Sequence, residues 1–338
     1  MKKIFVALLI VFLGVFLVSC ENDEVPLPSN LIKAMDTNFG IFIYYDESDK
    51  EVHNQVQTLL AKITDELNYL HNLTNNFERG DNTINNVYYI NENPGLKILI
   101  DEDLYDILNL SLQYQDEFLG YFNVSIGLII DQWKEIIFRD IDIEGDYTDE
   151  EFALIMDNID AIPIIEDGIL LEKVNDEHYV TITEGVKIDL GAIAKGYAVD
   201  KIKDMIVEAG FTNYKVEGGQ SSLEFGENPN REGGNFKVGI RDPNKLVGYK
   251  EIIDIKNAAI VTSGDLAQYY YRNDYKYHHI ISPATKRPEN YRNLVTVVGD
   301  SSTKLDALTT ALMAMPDDVY NDFIKNYPQY TFYSFVVK

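Results

Sequence analysis

An α+β fold, with mixed or antiparallel sheets flanked by helices in a single unit, is predicted from three features of this 338-residue chain. Runs of strand type and helix type do not alternate regularly, which disfavours a doubly wound parallel sheet. Two long stretches carry apolar residues at helical spacing, and many short apolar and aromatic runs are separated by Gly, Asn and Pro. No internal repeat appears, and no domain boundary stands out after residue 30.

In chain order, 39–45 reads as a strand. Residues 52–73 read as an amphipathic helix, with Val56, Leu59, Leu60, Ile63, Leu67 and Leu70 on one face. The Asn-rich stretch 75–93 reads as loop. A second helix is expected over 101–118, with Leu104, Ile107, Leu108 and Leu112 inward, and Thr148-Asp149-Glu150-Glu151 is a capping box opening a helix toward Ile159. Strands are expected at 168–174, 179–182, 186–189, 214–216, 222–225, 236–240, 251–255, 259–262, 266–272, around 277–279, and at 294–298. A helix over 192–209 lies among them, and a helix over 304–315 and a strand over 331–337 close the chain.

The formal charge of −26 and a pI near 4.4 exclude general nucleic-acid binding, since phosphates are repelled and no Lys/Arg run offers a basic groove. At the other end of the argument stands the N-terminus. Lys2 and Lys3 precede an apolar run from Ile4 to Val18, a charged region and hydrophobic core of signal-peptide proportions, shorter than a typical membrane span. The run ends at Leu17-Val18-Ser19-Cys20, and Cys20 is the only cysteine, so no internal disulfide forms. That ending resembles a bacterial lipobox. It predicts a leader over 1–19, lipid on the Cys20 sulfur, a polar tether over 20–30 containing Pro26 and Pro28, and a folded domain over 31–338. A plain signal peptide or an uncleaved anchor is the alternative.

The most informative stretch is Asp189-Leu190-Gly191-Ala192-Ile193-Ala194-Lys195-Gly196, where small residues crowd the entrance of a helix. Such a turn lets main-chain groups approach a ligand, the helix N-terminus favours an anion, and Lys195 sits one turn in, within reach of a phosphate. A well-packed corner with Lys195 in solvent fits equally. Asp306 and Thr310, four apart on a helix, can point a carboxylate and a hydroxyl at one hard cation, Mg²⁺ or Ca²⁺ rather than zinc; taken alone, an Asp there is more commonly a cap. Two of the five histidines, His278 and His279, adjoin before Ile280-Ile281-Ser282-Pro283. Neighbours on a strand face opposite ways, so at most one enters a given pocket. Thr262-Ser263-Gly264-Asp265 and Glu217-Gly218-Gly219-Gln220 each read also as ordinary turns.

Their order and spacing together resemble the ApbE family, bacterial lipoproteins that act as FAD:protein FMN transferases. Met35-Asp36-Thr37, Gly120-Tyr121-Phe122-Asn123 before Leu128 and Trp133, the 189–200 segment, Val238-Gly239-Ile240-Arg241-Asp242-Pro243, Thr262–Asp265, His279-Ile280-Ile281 with Pro283, and Asp306-Ala307-Leu308 with Thr310 follow in the family's order. The resemblance implies an ApbE-like, T-fold-like unit of two entwined subdomains. It implies a Mg²⁺ site (Ca²⁺ being the alternative) at the Ala192 carbonyl, Asp306 and Thr310, and FAD contacts at Met35, Phe77, Tyr121, Phe122, Asn123, Asp189, Lys195 and Ile281, with His279 catalytic. It also implies that FAD is cleaved with release of AMP and that FMN passes to a threonine of an extracytoplasmic, membrane-associated flavoprotein of an ion-translocating or other electron-transfer system. The enzyme itself would be lipid-anchored to a bacterial membrane through Cys20. An FAD pyrophosphatase is a second reading and a periplasmic flavin-binding protein a third. The chain departs from the family pattern at Asn123, Gln220, Ser282 and Lys286.

Overall fold

The computed structural model describes residues 30–243, 245 and 248–336. Its centre is a seven-stranded sheet in which every neighbouring pair is antiparallel, in the order Asn30–Ala34, Thr37–Ile43, Tyr214–Gly218, Ser222–Phe225, Ala258–Gly264, Leu294–Gly299 and Thr331–Phe335. The first two strands come from the start of the described chain and the others from residue 214 onward. The intervening residues build a three-stranded sheet, with Glu177–Ile182 between Ile98–Ile100 and Ile169–Val174, together with most of the helices. This is the expected α+β arrangement, and the two parts are entwined because the main sheet closes only after the chain returns.

Side chains alternate across the sheet. Along the strand Ala258–Gly264, Ala259 and Val261 join the main core under the helices, whereas Ile260 joins a separate cluster with Phe225, Phe236 and Val238 on the opposite face. The helix Lys50–Thr74 is started by Asp49, whose carboxylate accepts from Glu51 N and Val52 N, and it buries Val56, Leu59, Leu60, Ile63, Leu67, Leu70 and Leu73. Each of those side chains contributes about 1.5–3 kcal/mol on leaving water. The capping box at Thr148 and Glu151 forms and opens the helix Asp149–Ala161. A third cluster gathers around buried Trp133, from the helices Gly127–Ile137 and Asp149–Ala161, the hairpin Tyr269–Arg272 with Tyr275–His278, and Ile281.

Four expectations need correction. The stretch 75–93 is not all loop, since Asn86 caps a short helix, Val87–Asn91. Residues 186–189 form no strand: only Lys187 makes a bridge, parallel, to Ile126. The physical reason is Asn91, whose side-chain amide takes both main-chain groups of Ile188, accepting its N–H at 2.7 Å and donating to its carbonyl at 2.9 Å. The strand expected from 266 starts at Tyr269. Asn30, assigned to the tether, begins the first strand, while the leader, Cys20 and the rest of the tether lie outside the described residues.

The helices Ala194–Glu208 and Ser302–Ala314 pack against each other and against the sheet. Their approach is set by Gly196, where a Cβ would lie 2.3 Å from the Ser302 carbonyl oxygen. Below this crossing, Asp200 accepts from Ser302 N and Thr303 N, both at 2.9 Å, and so caps the second helix. Glu224, buried on the helix-facing side of its strand, accepts from Ser302 Oγ at 3.2 Å. Burial, and then the negative charge of Asp200, push the Glu224 carboxyl up to about 8.

A carboxyl held above its unfolded value of 4.5 binds its proton more tightly in the folded state. Its contribution is therefore complete below pH 4.5 and is lost as pH rises toward 8. Glu224→Gln, which keeps the volume and removes the charge, is expected to stabilise the fold at pH 8 by on the order of 2 kcal/mol and to have little effect at pH 4.5. Denaturant unfolding of both proteins at the two pH values checks this, and an equal effect at both would place the strain elsewhere.

Candidate active site

The site is built on the turn between Asp189 and the helix Ala194–Glu208. Asp189 is held to the chain at Val124 by its own N–H, which donates to the Val124 carbonyl at 2.9 Å. Its carboxylate then organises three separate segments. Oδ1 accepts from Gly191 N at 2.8 Å, while Oδ2 accepts from Asn76 Nδ2 at 3.0 Å and from Lys134 Nζ at 2.8 Å. Phe77 is 65% exposed, and the Lys134 ammonium lies 4.9 Å from its ring centroid. Of the expected flavin contacts, Phe77 and Asp189 are thus brought to one place through Lys134, and Asn123 immediately precedes Val124 in the chain.

One turn further, the helix start is irregular in an informative way. Gly196 N, which regular geometry would direct to the Ala192 carbonyl, donates instead to Asp306 Oδ2 at 3.0 Å. No hydrogen bond to the Ala192 oxygen exists among the described residues. Lys195 Nζ reaches the same Asp306 Oδ2 and the Gly191 carbonyl, each at 3.3 Å. Asp306 is 3% exposed; burial raises its pKa, and Lys195 and the Gly196 N–H oppose that rise. Both of its partners bind Oδ2, so Oδ1 has no protein donor among the described residues. Thr310 Oγ1 donates to the Asp306 carbonyl at 3.0 Å, which leaves its lone pairs unused.

These groups fit a hard divalent cation. A bare main-chain carbonyl, a carboxylate oxygen without a donor and a hydroxyl oxygen form an all-oxygen set with few protein ligands, as suits an ion that keeps waters or substrate oxygens. The single carboxylate explains why, among the described residues, no group of three His, Cys, Asp or Glu side chains marks the place. Ser263 Oγ and Thr309 Oγ1, 2.9 Å apart, tie the Thr262–Asp265 segment to the same helix.

The histidine pair divides as the strand geometry demands. His278 is buried, its Nδ1 accepting from Ile280 N at 3.2 Å, so its proton lies on Nε2, which donates to the Glu289 carbonyl at 3.0 Å. His279 is exposed to solvent, yet desolvation by the protein around it, the adjacent His278 and the Lys195 charge push its pKa down to about 4. Because water reaches it, the direction of the shift carries the argument: the imidazole is neutral at pH 7.

The remaining expected residues stand at the margins. Met35 occupies a turn with φ of 50°, followed by Asp36 at 55°, and its N–H donates to His71 Nδ1 at 3.1 Å. That turn abuts the Gly218-Gly219 turn, where a Cβ on Gly219 would lie 2.4 Å from Thr37 Oγ1. Ile281 and Phe122 are buried, Ile281 beside Trp133, so Ile281 offers its main chain more readily than its side chain.

The departures from the family pattern have local accounts. Asn123 Oδ1 accepts from Ser125 N and Oγ at 2.7 and 2.6 Å, a task a carbonyl does as well as a carboxylate. Lys286 has φ of 58°, where glycine is at ease. Its ammonium compensates by donating to the carbonyls of Asp160 and Ile162 at the end of a helix, and its own carbonyl accepts from Trp133 Nε1 at 2.8 Å. Ser282 is buried and its carbonyl accepts from Lys286 N, closing the turn, whereas Gln220 is exposed. Lys134, Asn76 and Asn91 escaped the sequence reading, because each acts on a residue distant along the chain and no local spacing marks it.

A sequence model of the ApbE family matches residues 35–333. Among similar proteins, one from Vibrio cholerae named FAD:protein FMN transferase is 39% identical over 204 residues, covering 59% of this chain and 57% of that protein. A protein of the same name from Treponema pallidum is 27% identical over 241 residues, covering 68% of this chain and 65% of that one. The chain thus spans less than two thirds of either relative. The crystal structure of the ApbE protein from Thermotoga maritima superposes with a TM-score of 0.71 at 21% identity, covering 90% of this chain and 93% of that one, which establishes the fold. With 35–333 matched, this chain belongs to the ApbE family.

Proposed function

We propose that this chain is a Mg²⁺-dependent FAD:protein FMN transferase, cleaving FAD, releasing AMP and joining FMN through a phosphoester to a threonine of an extracytoplasmic flavoprotein. The observation that carries the reading is the Ala192 carbonyl, which has no hydrogen-bond donor among the described residues, Asp306 taking the Gly196 N–H. Family membership and the activity for which two relatives are named support the same reaction.

The Ala192 carbonyl, Asp306 Oδ1 and Thr310 Oγ1 would hold the cation. When bound, it would neutralise charge on the pyrophosphate as the bond to AMP breaks. Lys195, already paired with buried Asp306, is a fixed positive charge beside that anion, and this matters in a protein of net charge −26. The neutral His279 imidazole takes the proton from the acceptor threonine hydroxyl as its oxygen bonds to the FMN phosphorus, and the phosphate oxygen of AMP departs. Atoms balance: FAD and the hydroxyl give the FMN ester, AMP and a proton.

The proposed setting is outside the cytoplasmic membrane, with lipid on Cys20 as the anchor. Among the described residues no helix is long and apolar enough to cross a membrane. The proposed acceptors are FMN-binding domains of membrane electron-transfer systems.

Incubating the chain with FAD, Mg²⁺ and such a domain is expected to raise the acceptor mass by one FMN and to release AMP in equal amount. AMP without acceptor modification would instead identify a pyrophosphatase. Asp306→Ala is expected to lower transfer about a hundred-fold or more, and full activity in that variant would sink the metal assignment. In a profile of kcat/KM between pH 4 and 8, the acid limb removed by His279→Gln should lie well below 6.5, because burial lowers that pKa; a limb at 6.5 would show an unperturbed imidazole. Membrane partitioning is expected to be lost in Cys20→Ser, and unchanged partitioning would remove the lipid anchor.

A further inference from the structure

Lys134 has no part in the reading above, yet it stands where a planar substrate would meet the protein. It lies on the helix Gly127–Ile137, next to buried Trp133, whose indole is tied to the Lys286 carbonyl. That anchoring fixes the helix, and it leaves the Lys134 side chain 32% exposed, with its ammonium on Asp189 and 4.9 Å from the ring centroid of Phe77, itself 65% exposed. An ammonium has three donors, and one is spent on Asp189 Oδ2. Asp189 in turn has about four acceptor positions, of which the Gly191 N–H, the Asn76 amide and Lys134 fill three. What remains at this corner, counting partners among the described residues, is an exposed aromatic ring flanked by unused ammonium donors and one unused carboxylate lone pair.

We propose that Lys134 is a specificity-determining residue of the substrate site, acting with Phe77 and Asp189 to recognise the edge of a planar heterocycle that pairs an acceptor atom with an N–H. This rests on the flavin-transferase reading. The ring stacks on Phe77, Lys134 donates to the acceptor atom, and the free lone pair of Asp189 accepts the N–H. Both ring systems of FAD carry such an edge, the imide of the isoalloxazine and the amidine of the adenine. Asp189 also holds Gly191 N, so the same carboxylate links ring recognition to the turn that presents the Ala192 carbonyl. A ring seated at this edge is thereby placed in register with the phosphate end of the site.

Equilibrium binding to the full chain, read by flavin fluorescence for FAD and FMN and by competition for AMP, tests the assignment without turnover. Lys134→Met is expected to weaken FAD binding about ten-fold and to weaken only one of FMN and AMP, the one whose ring sits there. Lys134→Arg, which keeps the charge and the donors, is expected to restore affinity to within about two-fold, and the thermal midpoint of each variant reports whether the helix has loosened. Unchanged FAD affinity in Lys134→Met overturns the assignment, as does equal weakening of FMN and AMP or failure of Lys134→Arg to rescue. Wild-type protein that binds none of the three overturns the flavin reading and the assignment with it.

Discussion

One buried carboxylate determines how the rest of this molecule can be arranged. Asp306 sits under the crossing of two helices and receives at Oδ2 both the Gly196 N–H and the Lys195 ammonium. Burying a charge is costly unless it is paired and hydrogen-bonded. The pairing here comes from the start of another helix, so satisfying Asp306 draws the two helices together. Gly196 is the residue that allows it, because any side chain there would strike the Ser302 carbonyl. The donor lost from the first helical turn leaves the Ala192 carbonyl without a partner among the described residues, so packing and the proposed cation site depend on one interaction.

The same economy appears around Asp189. Its carboxylate joins three stretches far apart in sequence, through Asn76, Lys134 and Gly191. The protein is strongly acidic overall, so the proposed anionic substrate would be served by a few placed cations rather than by the general field. Lys195 and Lys134 flank the turn from its two sides, each held by a carboxylate that limits its freedom. His279, close enough to Lys195 to feel its charge, stays neutral, and its neighbour His278 is spent on holding the backbone at Ile280 and Glu289.

Much of the fold was legible because its signals are local. The apolar spacing from Val56 to Leu70 can bury one face only as a helix, and Thr148 with Glu151 can satisfy the first turn of a helix by themselves. The strands of the main sheet were readable from short β-branched and aromatic runs. Residues 186–189 misled for a nonlocal reason: Val186, Lys187 and Ile188 have strand-like composition, but the amide of Asn91 occupies the groups a ladder would use. In sequence, Lys286 and Asn123 stand out as departures from the family pattern. They prove to be substitutions whose hydrogen bonds preserve the turns.

By itself, the sequence determined the α+β class, most elements, the acidic character and, through short motifs in order, the family and the residue types a hard cation requires. These follow from periodicity, turn chemistry and the spacing of side chains along one element. Tertiary structure alone decided that the Gly196 N–H goes to Asp306 rather than to Ala192, that His279 rather than His278 faces solvent, and that Lys134 shares Asp189 with Asn76. Hydrogen bonds across 55 and 110 positions leave no periodic trace in a chain, because the partner of each group is chosen by packing and by the cost of leaving a buried polar atom unpaired.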